Sequence, residues 1–273
     1  LNIGEYRMQD LLKVEKHGKI GVITINRPDQ LNPLGKAGDG DAFAEVTAEL
    51  AADKDLRCCI LTGAGRAFSA GGDLKAMKDR TGAFGGTPAE VKAGYTTNIH
   101  KIVNSLWNFE LPLIAAVNGH AVGLGCDVAC MADMRLISEK ARFGMSFLRI
   151  NLIPGDGGSW LMPRIVGLAR ASEMIFTGTM YDADTAIEWG WASQKTTPEG
   201  LMDASMELAE KVAAQPPMAL RAAKMLLRKA QNADYATIME MSAAQQALQH
   251  HTEDHIEGVT ALLEKRDPNF TGN

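Results

Sequence analysis

Residues 113–133 read LIAAVNGHAVGLGCDVACMAD, which combines a short apolar run, a glycine-rich turn and a helical pattern. Residues 61–74, LTGAGRAFSAGGDL, repeat the same order. A helix that begins directly after small residues leaves backbone N–H groups without partners at the positive end of the helix dipole. Two such turns brought together would direct two N–H groups at one oxyanion. From the spacing alone, the glycines are equally compatible with a purely structural role in tight strand–helix packing.

The composition is that of a globular protein with an excess of glycine. The chain has 273 residues, of which 46% are apolar and 27 are glycine, and its net charge is −5. The acidic balance argues against a nucleic-acid partner, because phosphates are neutralised by clustered Lys and Arg. No apolar run approaches the ~20 residues that cross a bilayer, and the start lacks the pattern of a signal peptide. We therefore expect a cytoplasmic protein with no membrane partner, whose four cysteines are buried thiols.

Strand patterns alternate with helical patterns in the first part of the chain, and helical patterns dominate the rest. Residues 11–16 and 19–25 predict a hairpin, and 57–62, 113–117 and 134–138 predict buried strands. Helices are predicted at 41–52, 89–109, 127–132, 159–166, 168–177, 183–189, 199–214, 216–230 and 234–264. The fold class is therefore α/β. We divide the chain into a core at 1–199 and a helical oligomerisation region at 200–273.

Five motifs in order identify the chain as similar to the crotonase superfamily, the enoyl-CoA hydratase/isomerase family. They are NRPDQLN at 26–32, AFSAGGDL at 67–74, AAVNGHAVGLGCDVACMAD at 115–133, LIPGDGGSWLMPRIVG at 152–167 and EGVTALLEKRDPNF at 257–270. The resemblance implies a spiral of repeated ββα units, a C-terminal helical trimerisation region and an acyl-CoA thioester substrate. It implies a homotrimer or a hexamer. Coenzyme A enters as part of the substrate, and we expect no other cofactor and no metal.

The same resemblance assigns the residues that hold the thioester. It implies that the backbone N–H groups of Ala70 and Leu124 form an oxyanion hole, with Gly71 also at the coenzyme A site. It implies that Lys265 reaches the coenzyme A of a neighbouring subunit. Leu124 replaces the usual glycine, and only its N–H is needed. Gln246 stands where relatives often have an aromatic residue against the adenine.

The acid/base positions depart from the pattern of the family's hydratases, which use two glutamates to hold one water. The first of these positions falls on Asp127, which is still a carboxylate, but the second falls on Phe147, which cannot move a proton. Asp156, in the turn PGDGG, is the natural substitute, although isomerases of the family place their aspartate one position earlier, at Gly155. Apolar surroundings would raise the pKa of Asp156 toward that of a useful base. A helix-capping role for Asp156 is equally open.

The remaining polar candidates have structural interpretations. Asp73 is expected to cap its helix, Asp39 and Asp41 to be loop and cap residues, and His120 to have a packing or hydrogen-bonding role. Helical spacing pairs His251 with His255 on one exposed or subunit-contacting face.

The leading hypothesis for function is an enoyl-CoA hydratase/isomerase in which Asp127 and Asp156 are the acid/base groups. Two alternatives use the same enolate: double-bond isomerisation with one carboxylate, and C–C or thioester hydrolysis. A non-catalytic coenzyme A-binding or RNA-binding relative is the alternative from another class, although the net charge of −5 opposes RNA.

Overall fold

The computed structural model describes the backbone of residues 3–8 and all of residues 11–273. Within this part of the chain, eleven strands form one sheet of seven strands and one of four. The strands are β1 Ile3–Met8, β2 Leu12–His17, β3 Ile20–Ile25, β4 Cys58–Gly63, β5 Ala67–Ser69, β6 Leu113–Val117, β7 His120–Val122, β8 Met134–Ser138, β9 Arg142–Gly144, β10 Tyr181–Asp182 and β11 Gln194–Thr196.

Helices surround both sheets and make up most of the C-terminal third. They are α1 Asp39–Ala52, α2 Leu74–Asp79, α3 Pro88–Gly94, α4 His100–Trp107, α5 Leu124–Met131, α6 Gly158–Val166, α7 Leu168–Thr177, α8 Ala183–Glu188, α9 Leu201–Ala213, α10 Pro217–Ala230, α11 Tyr235–His250 and α12 Glu253–Glu264. Short 3-10 turns lie at Pro28–Gln30, Gly82–Phe84 and Phe147–Ile150, and a π-helical turn at Tyr95–Ile99 joins α3 to α4. No helix within the described residues is both long and apolar enough to span a membrane.

A strand–strand–helix unit repeats three times, as β4-β5-α2, β6-β7-α5 and β8-β9-α6. The first strand of each unit enters the large sheet, whose order is β1-β2-β3-β4-β6-β8-β11. The second strand enters the small sheet, whose order is β10-β9-β7-β5. Successive units pair in parallel in both sheets. The chain therefore advances as a spiral of ββα units, which confirms the predicted fold class.

The central strands β4 and β6 of the large sheet are buried on both faces. Along β4, Cys58 and Ile60 face a cluster completed by α9, whereas Cys59 and Leu61 face the main core. Such double burial explains why β4 and β6 are continuous apolar runs. All four cysteines are buried free thiols, as expected. Helix α9 belongs to the predicted second region, but it packs on the sheet of the predicted core. The division of the chain at residue 200 stays a prediction.

Several predicted elements need correction. Helix α1 begins at Asp39 with Gly38 as its cap, so Asp41 lies in the first turn and does not cap it. The helix predicted at 89–109 is interrupted by the π turn, and that at 234–264 ends at His250 and restarts at Glu253. The two- and three-residue strands β5, β7, β9, β10 and β11 were not predicted, since they exist through pairing with distant segments.

The buried carboxylate of Asp39 holds the entry into α1. Both of its oxygens accept from the Arg27 guanidinium, at 2.7 and 2.8 Å, and the N–H of Lys36 donates to it at 2.9 Å. The Asp39 side chain is 2% exposed. Removing one partner of a buried pair leaves the other charge without compensation.

We expect Asp39→Ala to lower the free energy of unfolding by about 3–5 kcal/mol, because the half-buried Arg27, with 17% of its side chain exposed, would keep its charge without this partner. Asp41→Ala is the matched control: Asp41 pairs with Lys101 at the surface with 64% of its side chain exposed. Its loss should cost less than about 1 kcal/mol. Urea denaturation of both variants measures the difference, and equal losses would contradict the role given to Asp39.

Candidate active site

The two glycine turns of the sequence meet backbone to backbone. Strands β5 and β7 pair in parallel, and the turns that follow them lie side by side. A Cβ at Gly71 would lie 2.6 Å from the carbonyl oxygen of Val122 and 3.7 Å from the nitrogen of Leu124. Gly71 also has φ of +95°, a conformation that favours glycine. A Cβ at Gly125 would collide with the carbonyl oxygen of Ser69.

The N–H groups of Ala70 and Leu124 differ in whether they already donate a hydrogen bond within the protein. Leu124 is the first residue of α5, so its N–H has no acceptor within the helix. The Ala70 N–H donates to the carbonyl oxygen of Leu31 at 2.9 Å, and that of Gly71 donates to the Ser69 hydroxyl at 3.2 Å. An anion at this point would therefore meet the free Leu124 N–H first and would share the Ala70 N–H with Leu31.

A cavity of about 230 Å³ opens in front of this pair of turns, and we call it the front cavity. Most of its wall is apolar, with Asp156 and the exposed Arg149 as the charged residues on it. Phe147 belongs to the same wall, where its ring packs over Gly123. The lining residues are Ala70, Gly71, Gly72, Leu74, Met77, Phe84, Tyr95, Ile99, Val122, Gly123, Leu124, Ser146, Phe147, Arg149, Ile150, Leu152 and Asp156.

Asp156 brings a buried carboxyl group to the front cavity. Its side chain precedes α6 in the turn before Gly157, and the residue is 4% exposed. Its Oδ1 has no hydrogen-bond partner. Burial raises the pKa of Asp156 to about 6, and a charge interaction with His100 partly offsets that rise. The carboxyl group therefore changes charge close to neutral pH, as a general acid/base must.

Asp127 lies on α5 beneath the site and does not line the front cavity. It is fully buried, and neither carboxyl oxygen has a hydrogen-bond partner. Burial raises the pKa of Asp127 well above its ordinary value, and the charge of Asp156 raises it further. The N–H of Gly158 points toward the Asp127 carboxyl group and lowers its pKa in part, although the two groups do not form a hydrogen bond. Burial and the charge of Asp156 therefore both favour the protonated, neutral form of Asp127.

Tyr95 and His100 belong to the site but were missed in the sequence. The π turn Tyr95–Ile99 sets Tyr95 against the front cavity, and the Nε2 of His100 donates to the carbonyl oxygen of Gly155 at 2.9 Å. The Tyr95 and His100 rings lie 6.0 Å apart in an edge-to-face arrangement. π turns are frequent at functional sites, but they leave no clear mark in a helical pattern, and the polar residues of YTTNIH were the one signal that could have identified this segment.

The remaining candidates lie away from the front cavity. Lys265 ends α12 in the left-handed conformation and is exposed, and Gln246 is exposed on α11. Asp73 caps α2 by accepting from the N–H groups of Lys75 and Ala76, as predicted. The predicted pairing of His251 with His255 is wrong. Because α11 ends at His250, it is the Nδ1 of His250 that lies 3.0 Å from the Nε2 of His255.

His120 is exposed at the start of β7.

No group of three or more potential metal ligands occurs in the part of the chain that the structure describes.

Three comparisons with known proteins agree with this architecture. The family described as Enoyl-CoA hydratase/isomerase matches residues 15–273. The chain is 36% identical to 1,2-epoxyphenylacetyl-CoA isomerase of Escherichia coli K12, over 92% of this chain and 94% of that protein. It is 35% identical to short-chain-enoyl-CoA hydratase of Clostridium acetobutylicum, over 93% and 94% respectively. The crystal structure of enoyl-CoA hydratase from Bacillus anthracis superposes with a TM-score of 0.89 at 30% identity, covering 96% of this chain and all of that one.

The chain therefore belongs to the enoyl-CoA hydratase/isomerase family and has the crotonase fold. It is an enzyme of the acyl-CoA hydratase/isomerase type.

The buried acid at position 127 makes a prediction about stability. A raised pKa means that the folded protein holds a proton that the unfolded chain releases, so this contribution to stability is complete below pH 4 and is lost as the pH rises. Asparagine is neutral in both states. We therefore expect Asp127→Asn to gain stability over the wild type as the pH rises from 4 to 8, measured by urea denaturation. A pH-independent difference would contradict the assignment of Asp127 as a buried neutral acid.

Proposed function

We propose that this enzyme moves the double bond of an enoyl-CoA thioester, with Asp156 as the only group that transfers the proton. The observation that carries this proposal is the wall of the front cavity. There Asp156, with its pKa of about 6, lines the same wall as Ala70 and Leu124, and Phe147 on that wall stands where the resemblance implies the second carboxylate of the hydratases. Isomerisation requires one base that takes a proton from one carbon and returns it to another.

The substrate would bind with its thioester carbonyl oxygen at the Leu124 N–H and the shared Ala70 N–H. Asp156 removes a proton from C2 of a 3-enoyl thioester, and the electron pair moves onto the thioester oxygen. The two N–H groups and the positive end of α5 stabilise the resulting dienolate. The protonated Asp156 then returns a proton to C4, and the double bond is left between C2 and C3.

Hydration is the second candidate, because one of the most similar relatives is named as a hydratase. Hydration requires a group that holds and deprotonates water in addition to the group that protonates the substrate. Phe147 offers neither, and Asp127 does not line the front cavity and has a pKa that burial raises well above its ordinary value. The role of Asp127 as a second acid/base group stays a prediction.

The coenzyme A site and the assembly are parts of the same proposal. Gly71 would lie against the thioester, and Lys265 would reach the coenzyme A of a neighbouring subunit. The exposed apolar side chains Met218, Leu227, Tyr235, Met239, Leu248, Ile256, Leu262 and Leu263 on α10–α12 support a homotrimer or a hexamer. A cytoplasmic location likewise stays a prediction.

Activity on two substrates tests the proposal. We expect the enzyme to convert 3-enoyl-CoA to the conjugated 2-enoyl-CoA, followed by ultraviolet absorbance, and to hydrate crotonyl-CoA far more slowly. Asp156→Asn should lower kcat for isomerisation by about 10²–10⁴, the contribution of a positioned acid/base group. Asp127→Asn should change it by less than about tenfold, because that acid does not contact the substrate.

Other outcomes separate the alternatives. Rapid hydration that both Asp→Asn variants abolish would support the two-carboxylate mechanism, and release of free coenzyme A would support a thioester hydrolase. If the protein neither converts nor binds acyl-CoA, the remaining interpretation is a non-catalytic relative.

The pH dependence follows from the ionisation of Asp156. The base must be charged, so kcat/KM for isomerisation should rise with pH through about 6 and level off above it. His100→Gln removes the charge interaction that lowers the pKa of Asp156 but keeps a side-chain N–H for the Gly155 carbonyl. We expect this variant to move the rising limb to higher pH. A rising limb that stays at the same pH in His100→Gln, or a wild-type kcat/KM that falls as the pH rises through about 6, would contradict the assignment of Asp156 as the base.

A further inference from the structure

A second cavity, of about 350 Å³, lies behind Asp156, and we call it the rear cavity. Its wall combines apolar and aromatic side chains with the polar side chains of a histidine and two asparagines. Trp107 and Trp160 pack edge to face on it, with ring centroids 5.2 Å apart.

Asp156 is the residue that the two cavities share. Tyr95 lines the front cavity and His100 lines the rear one, and the charge on the Asp156 carboxyl group interacts with both side chains. The Oδ1 atom of this carboxyl group is buried and has no hydrogen-bond partner in the protein. A buried polar atom without a protein partner at the edge of a cavity is a place where water binds.

The rear cavity also connects to the surface. Asn104 on α4 and Asn232, between α10 and α11, both line it and are exposed. Their amides offer donors and acceptors along the route, and His100 is held against the Gly155 carbonyl at 2.9 Å. The volume is large enough for several water molecules, each of which occupies about 30 Å³ in the liquid.

We propose that the rear cavity carries water to Asp156, so that the proton taken from the substrate exchanges with solvent before it is returned. This inference rests on the proposed isomerisation. Asp156 takes a proton from C2 and becomes a carboxylic acid. That acid exchanges its proton with a water molecule of the rear cavity, and then protonates C4. The front cavity stays filled by the substrate throughout, so exchange does not require the dienolate to leave the oxyanion hole.

Deuterium transfer measures this exchange directly. The wild-type enzyme isomerises 3-enoyl-CoA in D₂O, and the reaction is stopped at low conversion so that the reverse reaction adds no label. Mass spectrometry and proton NMR then give the deuterium content at C4 of the 2-enoyl-CoA. We expect most product molecules to carry one deuterium. Product that is formed at the normal rate without deuterium would overturn the inference, whereas no isomerisation at all would overturn the proposed function.

Variants at the mouth of the rear cavity locate the route. Asn104→Phe and Asn232→Phe place a ring in the entrance, and both positions are exposed, so the fold should tolerate the change. We expect each variant to lower the deuterium content at C4 several-fold with little change in kcat. Thr96→Phe is the matched control, because Thr96 is exposed on the same helical segment but lines neither cavity.

The control distinguishes a rear route from exchange through the front. Equal deuterium content in wild type, both rim variants and the control would show that the proton exchanges by another path and would overturn the assignment of the rear cavity. If instead the acyl chain occupied the rear cavity, the rim variants would raise KM for long-chain substrates without changing the deuterium content, which would also overturn it.

Discussion

The contact between two backbone turns is the constraint on which the rest of the site depends. Gly71 packs against the carbonyl of Val122, and Gly125 packs against that of Ser69, at distances that leave no room for a Cβ. Because no side chain separates the turns, the start of α5 is held beside Ala70. This contact joins the first ββα unit to the second, and it also fixes where a thioester oxygen would meet backbone N–H groups.

Burial then sets the chemistry of the two carboxyl groups next to those turns. Asp127 is fully buried without a hydrogen-bond partner and its pKa is raised well above its ordinary value, whereas Asp156 lies on the cavity wall and its pKa is raised to about 6. Two aspartates that are close in space therefore have different roles, and the difference comes from solvation. Asp156 is the one carboxylate residue that lines the front cavity in the described part of the chain, and Phe147 lines the same wall, which supports the proposed isomerisation over the addition of water.

Local sequence signals predicted the parts of this architecture that depend on local structure. The apolar runs of β4 and β6 and the glycines after them indicated two similar segments, and the family resemblance of the motifs implied the spiral and the acyl-CoA substrate. The three-residue strands β5 and β7 escaped prediction because pairing with strands distant in sequence defines them. The places of Tyr95 and His100 depend on a π turn, and the depth of Asp127 depends on how α5 packs under α6. Neither can be inferred from a pattern along the chain.

A crystal structure with a non-reactive 3-enoyl-CoA analogue would test the central claim most directly. The account predicts the thioester oxygen at the N–H groups of Leu124 and Ala70, and a carboxyl oxygen of Asp156 about 3–3.5 Å from C2, the distance at which reacting atoms are aligned. It also predicts that Asp127 stays covered and makes no contact with the acyl group. An analogue whose C2 or C3 lies against Asp127, or whose carbonyl oxygen points away from the two turns, would contradict it.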